Sequence, residues 1–102
     1  VRVSHVSLQH SFSARAKKSA PWEFRVLGWA CDPHGGREQP VVLVEGEYQV
    51  GGGARVTQVF NTLDWGGGKG PEVGWVTLEV LSNHGEKDYT CLYGFRVHGE
   101  FA

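Results

Sequence analysis

Residues 89–98 read Tyr89-Thr90-Cys91-Leu92-Tyr93-Gly94-Phe95-Arg96-Val97-His98. Tyr89, Cys91, Tyr93, Phe95 and Val97 share one parity, while Thr90, Leu92, Gly94, Arg96 and His98 share the other. A period of two is the pattern of a strand whose faces meet different surroundings. The same alternation recurs upstream. Phe24, Val26 and Gly28 alternate with Glu23, Arg25 and Leu27, and Val76, Leu78 and Val80 with Thr77 and Glu79. Val42, Val44, Gly46, Tyr48 and Val50 share one face of a further strand, and Val1, Val3 and His5 alternate with Arg2 and Ser4. Glycine-rich stretches separate these runs: Gly51-Gly52-Gly53 predicts a hairpin into Arg55–Asn61, and Gly66 to Pro71 a second connector. About six strands with turns at roughly ten-residue spacing predict an all-β antiparallel sandwich.

Composition agrees with this reading. Val occurs 14 times and Leu 7, Ile and Met are absent, and there are 12 aromatics and 15 glycines. Val and aromatic side chains suit a half-buried pleated surface, and glycine supplies turns at a cost to helix. The 102 residues make one small domain. A formal net charge of −1 argues against broad electrostatic capture of nucleic acid or an anionic membrane. The longest apolar run is Val41–Val44, too short to span a bilayer as a helix, and no signal-peptide pattern is visible. Because Val1 already reads as strand, the chain is expected to be a piece of something longer.

Motifs for chemistry are absent. The five histidines (His5, His10, His34, His84, His98) have no metal-ligand spacing, and the run Gly66–Gly70 lacks the Lys-Ser/Thr ending of a phosphate loop. His34-Gly35-Gly36 has no nucleophile elbow to serve, and no two carboxylates single themselves out as an acid–base pair. No catalytic residue, metal or cofactor is assigned. Cys31 and Cys91 lie outside any C-x-x-C arrangement and are compatible with a disulfide or with two thiols.

The stretch Leu81-Ser82-Asn83-His84-Gly85-Glu86-Lys87-Asp88-Tyr89-Thr90-Cys91-Leu92-Tyr93-Gly94-Phe95-Arg96-Val97-His98-Gly99-Glu100 resembles the C-terminal signature of SUN domains, S/T-N-W-G-x-x-E-Y-T-C-[LI]-Y-R-F-R-V-H-G-E. Upstream, Ser19-Ala20-Pro21 with Phe24, Val26 and Gly28 resembles that family's S-A-P-x-x-F-x-V-x-G, Gly46-Glu47-Tyr48 its G-x-F/Y-x-Y hairpin, and Val3-Ser4-His5-Val6 its L-E-H-V. The resemblance covers nearly the whole chain. His84 stands where the signature has Trp, and Gly94 where it has Arg.

The resemblance implies a jelly-roll or discoidin-like sandwich, residues 1–102 forming the C-terminal portion of a SUN domain. The N-terminal strands, the lid hairpin and the cation loop of that family would precede Val1, so no cofactor is expected in this fragment. It further implies a non-enzymatic module of the nuclear envelope that binds the C-terminal tail of KASH proteins in the perinuclear space. Self-association to a trimer and membrane attachment would depend on segments outside this chain. By motif, Ser19, Tyr89 and Tyr93 fall where the family holds the peptide terminus, and His5 at another site-forming position. Tyr89 and Tyr93, four apart on one predicted strand, would project from the same face. Cys91 falls at the family's structural cysteine, whose partner would lie upstream, so Cys91 is expected to be unpaired within this chain. Two other readings stay open. One is a carbohydrate-binding sandwich using Trp22, Trp29, Trp65 or Trp75, and the other a structural interaction module of the endoplasmic reticulum lumen.

Overall fold

Alternation becomes two three-stranded antiparallel sheets packed face to face. The structure, a computed structural model, describes residues 2–10, 19–30, 39–51, 53–63, 70–87 and 90–100. Strands β1 (Arg2–Gln9), β4 (Thr57–Asn61) and β6 (Gly94–Glu100) form one sheet in the order β4-β1-β6. Strands β2 (Glu23–Trp29), β3 (Val41–Glu47) and β5 (Trp75–Val80) form the other in the order β3-β2-β5. Between them lie Val6 and Leu8 from β1, Phe24 and Val26 from β2, and Leu43 and Val44 from β3, with Phe60, Phe95 and Leu78 packed around them. The predicted all-β sandwich is the fold observed.

Two irregularities decide which side chains face the core. In β1 the register against β6 shifts between Val3 and His5, leaving Ser4 as an extra residue. A bulge of this kind reverses the alternation beyond it. Val3 and Val6, three apart, are therefore both buried, and His5 turns to the outer face instead of sharing the face of Val3 as alternation predicts. In β3 the shift falls opposite Val26 and Leu27, with Leu43 as the extra residue. Leu43 and Val44 are both buried as neighbours, and Val42 pairs with outward-facing Leu27 rather than sharing the face of Val44. Leu43 fills the space over Gly28, where a Cβ would come within 2.6 Å of Val73 and 2.9 Å of Leu43.

The expected hairpin at Gly51–Gly53 is not one. β3 pairs with β2 and β4 with β1, so the chain crosses from one sheet to the other here. Gly51 and Gly53 take φ of 72° and 85°, a left-handed region open to glycine at little steric cost. Side chains close the crossing in place of a ladder. Gln58 accepts from the Gln49 N–H (2.9 Å) and donates to the Gln49 and Arg55 carbonyls (2.7 Å each). The Tyr48 hydroxyl donates to the Val56 carbonyl and accepts from the His10 N–H.

The last strand begins at Gly94, later than the alternation from Tyr89 predicts. β1 ends at Gln9, and the ladder of β6 against it starts there, at Gly94. Leu92 and Phe95, three apart, both pack on the core, which places Tyr93 outside the regular alternation. Val97 shares the inner face with Phe95 but remains exposed at the sheet edge, less buried than a core position.

Candidate functional site

Ser19-Ala20-Pro21-Trp22 is held from three sides. The Cys91 N–H donates to the Ser19 carbonyl (2.8 Å), the His84 N–H to Ala20 (3.2 Å) and the Tyr48 N–H to Trp22 (2.8 Å). The Trp22 N–H in turn donates to Ser82 (2.8 Å). Pro21, which lacks an N–H, sits in an isolated bridge with Asn83 where no donor is lost.

This wiring brings two of the motif-assigned residues to one neighbourhood. Ser19 is 4% exposed, and two residues beyond its partner Cys91 stands Tyr93, 65% exposed. The Tyr93 N–H donates to Gln9 (2.9 Å), and its ring stacks on buried His10 with centroids 4.9 Å apart at 26°. A phenol supported on one face and open at its hydroxyl is a preorganised donor. Tyr89 lies outside the described residues, so the shared-strand geometry expected for the two phenols has no counterpart there. The other half of that expectation changes, since Tyr93 precedes β6 instead of lying within a strand.

His5 is placed apart from this cluster. It lies four residues from Gln9 on β1, about 13 Å along the strand at the usual rise. There it stacks on His98, with centroids 4.4 Å apart and planes at 11°. Cys91 is half-buried and carries no disulfide, while Cys31 lies outside the described residues.

Asn83, a member of the quoted signature, and His84, a departure from it, organise the cluster. Asn83 donates from Nδ2 to the Glu86 carbonyl (2.8 Å) and the Thr90 hydroxyl (2.9 Å), and its Oδ1 accepts from Gly85 N–H (3.0 Å). It thereby shapes the turn that leads to residues 89–93, and Gly85 within it takes φ 127°. His84 stacks on Trp22 (5.2 Å, 20°), and its Nε2 meets the Tyr48 carbonyl at 2.7 Å. A carbonyl only accepts, so the proton sits on Nε2. An imidazole thus keeps an aromatic contact on Trp22 and adds a hydrogen bond. The asparagine in Ser82-Asn83-His84-Gly85 was the available signal, since Asx turns hold their own backbone two residues on.

The outer faces of the sheets differ in charge. On β2 and β5 the Arg25 guanidinium grips Glu79 through two hydrogen bonds (2.9 and 3.1 Å), which raises the arginine pKa above its ordinary value. Glu23, Glu45 and Glu47 surround that pair on the same face. Among the described residues, Arg96 on the opposite sheet has no carboxylate partner.

In this two-sheet antiparallel sandwich the end of β1, the start of β6 and the 19–22 segment come together around Tyr93 and Ser19. The Sad1/UNC-like C-terminal family model matches residues 1–101. The chain belongs to this family, the SUN domains. It is 36% identical to SUN domain-containing protein 2 of Arabidopsis thaliana, over 92% of this chain and 20% of that protein. It is 35% identical to the Klaroid protein of Drosophila melanogaster, over 98% of this chain and 10% of that protein. To SUN domain-containing protein 2 of Mus musculus it is 30% identical, over 98% of this chain and 13% of that protein. The chain therefore spans only a tenth to a fifth of the length of these relatives.

Proposed function

We propose that this SUN domain is a non-enzymatic peptide-binding module of the nuclear envelope that captures the C-terminal tail of a KASH protein in the perinuclear space. It would serve as one part of a self-associated bridge between inner and outer nuclear membranes. The observation that carries the reading is Tyr93, solvent-open at 65%, braced on His10 and joined through Cys91 to Ser19. A chain terminus offers a carboxylate, which hydroxyl donors on a rigid frame can grip by charge-assisted hydrogen bonds. Ser19 sits deep and Tyr93 stands at the rim, so the reading assigns the phenol to first contact. Tyr89 enters this reading by motif alone.

Amidating the terminus of a proline-rich peptide removes the negative charge but keeps the backbone. Affinity is expected to fall about tenfold, the worth of one charge-assisted hydrogen bond. Tyr93→Phe keeps the ring and deletes the donor, and should lose most of that sensitivity. Fluorescence anisotropy with the free-acid and amide peptides reads both effects. Equal affinity for the two peptides sinks terminal capture.

One observation favours a second reading, glycan recognition. Trp75 is 59% exposed on the outer face of β5, directly across from Trp29 in the register. Trp29 donates from its indole nitrogen to the Thr77 hydroxyl (3.0 Å), leaving that hydroxyl's own proton to serve a ligand. Specific glycan-array signals that vanish in Trp75→Ala are the result this reading requires. An array blank for the unaltered protein removes it.

A further inference from the structure

The outer face of the β4-β1-β6 sheet carries a groove of about 330 Å³, with His5, Ser7 and Gln9 on its floor. Arg96 and His98 form its β6 wall, and Val59, 61% exposed, its β4 wall. It runs along β1 toward the end where Tyr93 stands. Gly94 keeps that end shallow, because a Cβ there would meet only the Gln9 side chain at 3.4 Å and nothing would stand above it. A long side chain at position 94 would project from this same face, since Gly94 is the register partner of Gln9.

The polar groups of the groove are not all of one kind. Arg96 is a permanent cation without a carboxylate partner among the described residues, unlike Arg25 on the other sheet. Glu100 lies one row beyond His98 and is the register partner of Arg2, so it belongs to the far end of the face. The Ser4 hydroxyl donates to the His98 carbonyl (3.1 Å). It therefore acts as acceptor toward His5 Nδ1, 2.9 Å away, and Nδ1 carries the proton. In this tautomer Nε2 of the His5 ring is the acceptor. A bare anion has no hydrogen to give such an acceptor, whereas an extended peptide supplies both a backbone N–H and an acidic side chain. Charge complementarity with Arg96 and this acceptor together select an acidic peptide segment.

We propose that the groove binds the acidic, extended segment that precedes the terminus of the captured peptide, with Arg96 holding a carboxylate side chain. This rests on the peptide-binding reading above for its occupant. Tyr93 stands just before β6 and Arg96 within it, three residues on, about 10 Å of extended chain. The carboxylate held by Arg96 therefore belongs three or four residues before the peptide terminus. His5, matched by motif to a site-forming position other than that of the terminus, acts here in the upstream groove.

The test uses two twelve-residue proline-rich peptides with free termini, one carrying Glu at the fourth residue from the end and the other Gln. Fluorescence anisotropy against the protein is expected to show the Glu peptide binding about fivefold tighter, the range of a partly exposed charge pair. Arg96→Gln should abolish that preference and Arg96→Lys should keep part of it, a signature that a merely structural arginine does not produce. Equal affinity of the two peptides, or a preference that survives Arg96→Gln, overturns the groove. Arg96→Gln altering only the sedimentation of the protein itself also overturns it, since the occupant is then a second copy. Amidated versions separate the two readings. A Glu preference that persists while amidation has no effect supports the groove and removes terminal capture. Failure of every peptide to bind overturns both.

Discussion

Phe24→Ala should cost about 3–5 kcal/mol of folding stability, the range for removing a buried phenylalanine ring. For a domain of this size that corresponds to a fall in melting temperature of more than about 12 °C. Phe24 is 2% exposed at the centre of the sandwich. Its ring meets Phe60 edge-on, with centroids 4.7 Å apart at 76°. Phe24 belongs to β2 and Phe60 to β4, so this contact ties the two sheets together. Gly46 permits the close fit, since a Cβ there would approach Phe60 to 3.0 Å and Phe24 to 3.2 Å. Deleting the ring leaves a void that strand backbones in two ladders cannot collapse to fill. Against a total stability of about 5–15 kcal/mol, the loss is large enough to populate unfolded protein. Phe24→Leu, which keeps most of the volume, should cost under about 1.5 kcal/mol. Urea denaturation of the three proteins reads the difference, and a loss below 1 kcal/mol for Phe24→Ala contradicts the central role given to this contact.

The damage would reach the candidate site as well. Trp22 and Ser82 are joined to each other through the backbone, and Leu81 and Ser82 both donate to the Glu23 carbonyl next to Phe24. Loosening β2 therefore loosens the frame that holds Ser19. Peptide affinity and stability should decline together in Phe24→Ala, whereas Tyr93→Phe should lower affinity alone.

Strands β2 and β5 were legible from alternation because nothing interrupts their period. Phe24, Val26 and Gly28 face Val80, Leu78 and Val76 row by row, as the pattern requires. The bulges were not legible. Nothing in Val3-Ser4-His5-Val6 distinguishes a bulge at Ser4 from a regular strand, and the position of His5 inverts with it. Likewise Val41-Val42-Leu43-Val44 is apolar at every position, so its phase cannot be read from hydropathy. The glycines at 51–53 announced a reversal but not its partner. A hairpin and a crossing between sheets need the same left-handed residues, and the choice rests on Tyr48 and Gln58, whose hydrogen bonds are long-range or side-chain ones. At the site, the motif match named Ser19 and Tyr93, which the backbone bonds of Cys91 and Gln9 bring to one end of the fold. The groove around Arg96 escaped sequence reading because it depends on the outward turn of His5, which the bulge creates.

Tyr48→Phe should destabilise the protein by about 2 kcal/mol, the cost of leaving buried backbone groups without a partner. Tyr48 is fully buried, and its hydroxyl stands where three segments meet. The His10 N–H at the end of β1 reaches it at 3.1 Å, and its own proton goes to the Val56 carbonyl ahead of β4. The Tyr48 backbone adds a bond to Trp22 and accepts from His84, so this residue joins both sheets to the 19–22 segment. The His10 N–H also lies 3.3 Å from the Val56 carbonyl, which provides a partial substitute and keeps the cost below that of the lost ring of Phe24. Burial raises the Tyr48 phenol pKa above its ordinary value of 10.0, an effect only partly opposed by the His10 backbone bond. Above pH 10 the unfolded chain releases this proton while the folded protein retains it, so the unfolded state binds fewer protons. The stability this group contributes is therefore complete below pH 10 and is lost as pH climbs toward the raised folded value. Denaturation midpoints measured from pH 9 upward should fall more steeply for the unaltered protein than for Tyr48→Phe, although the variant starts lower. Parallel declines in the two proteins would mean that the phenol does not titrate as a buried group.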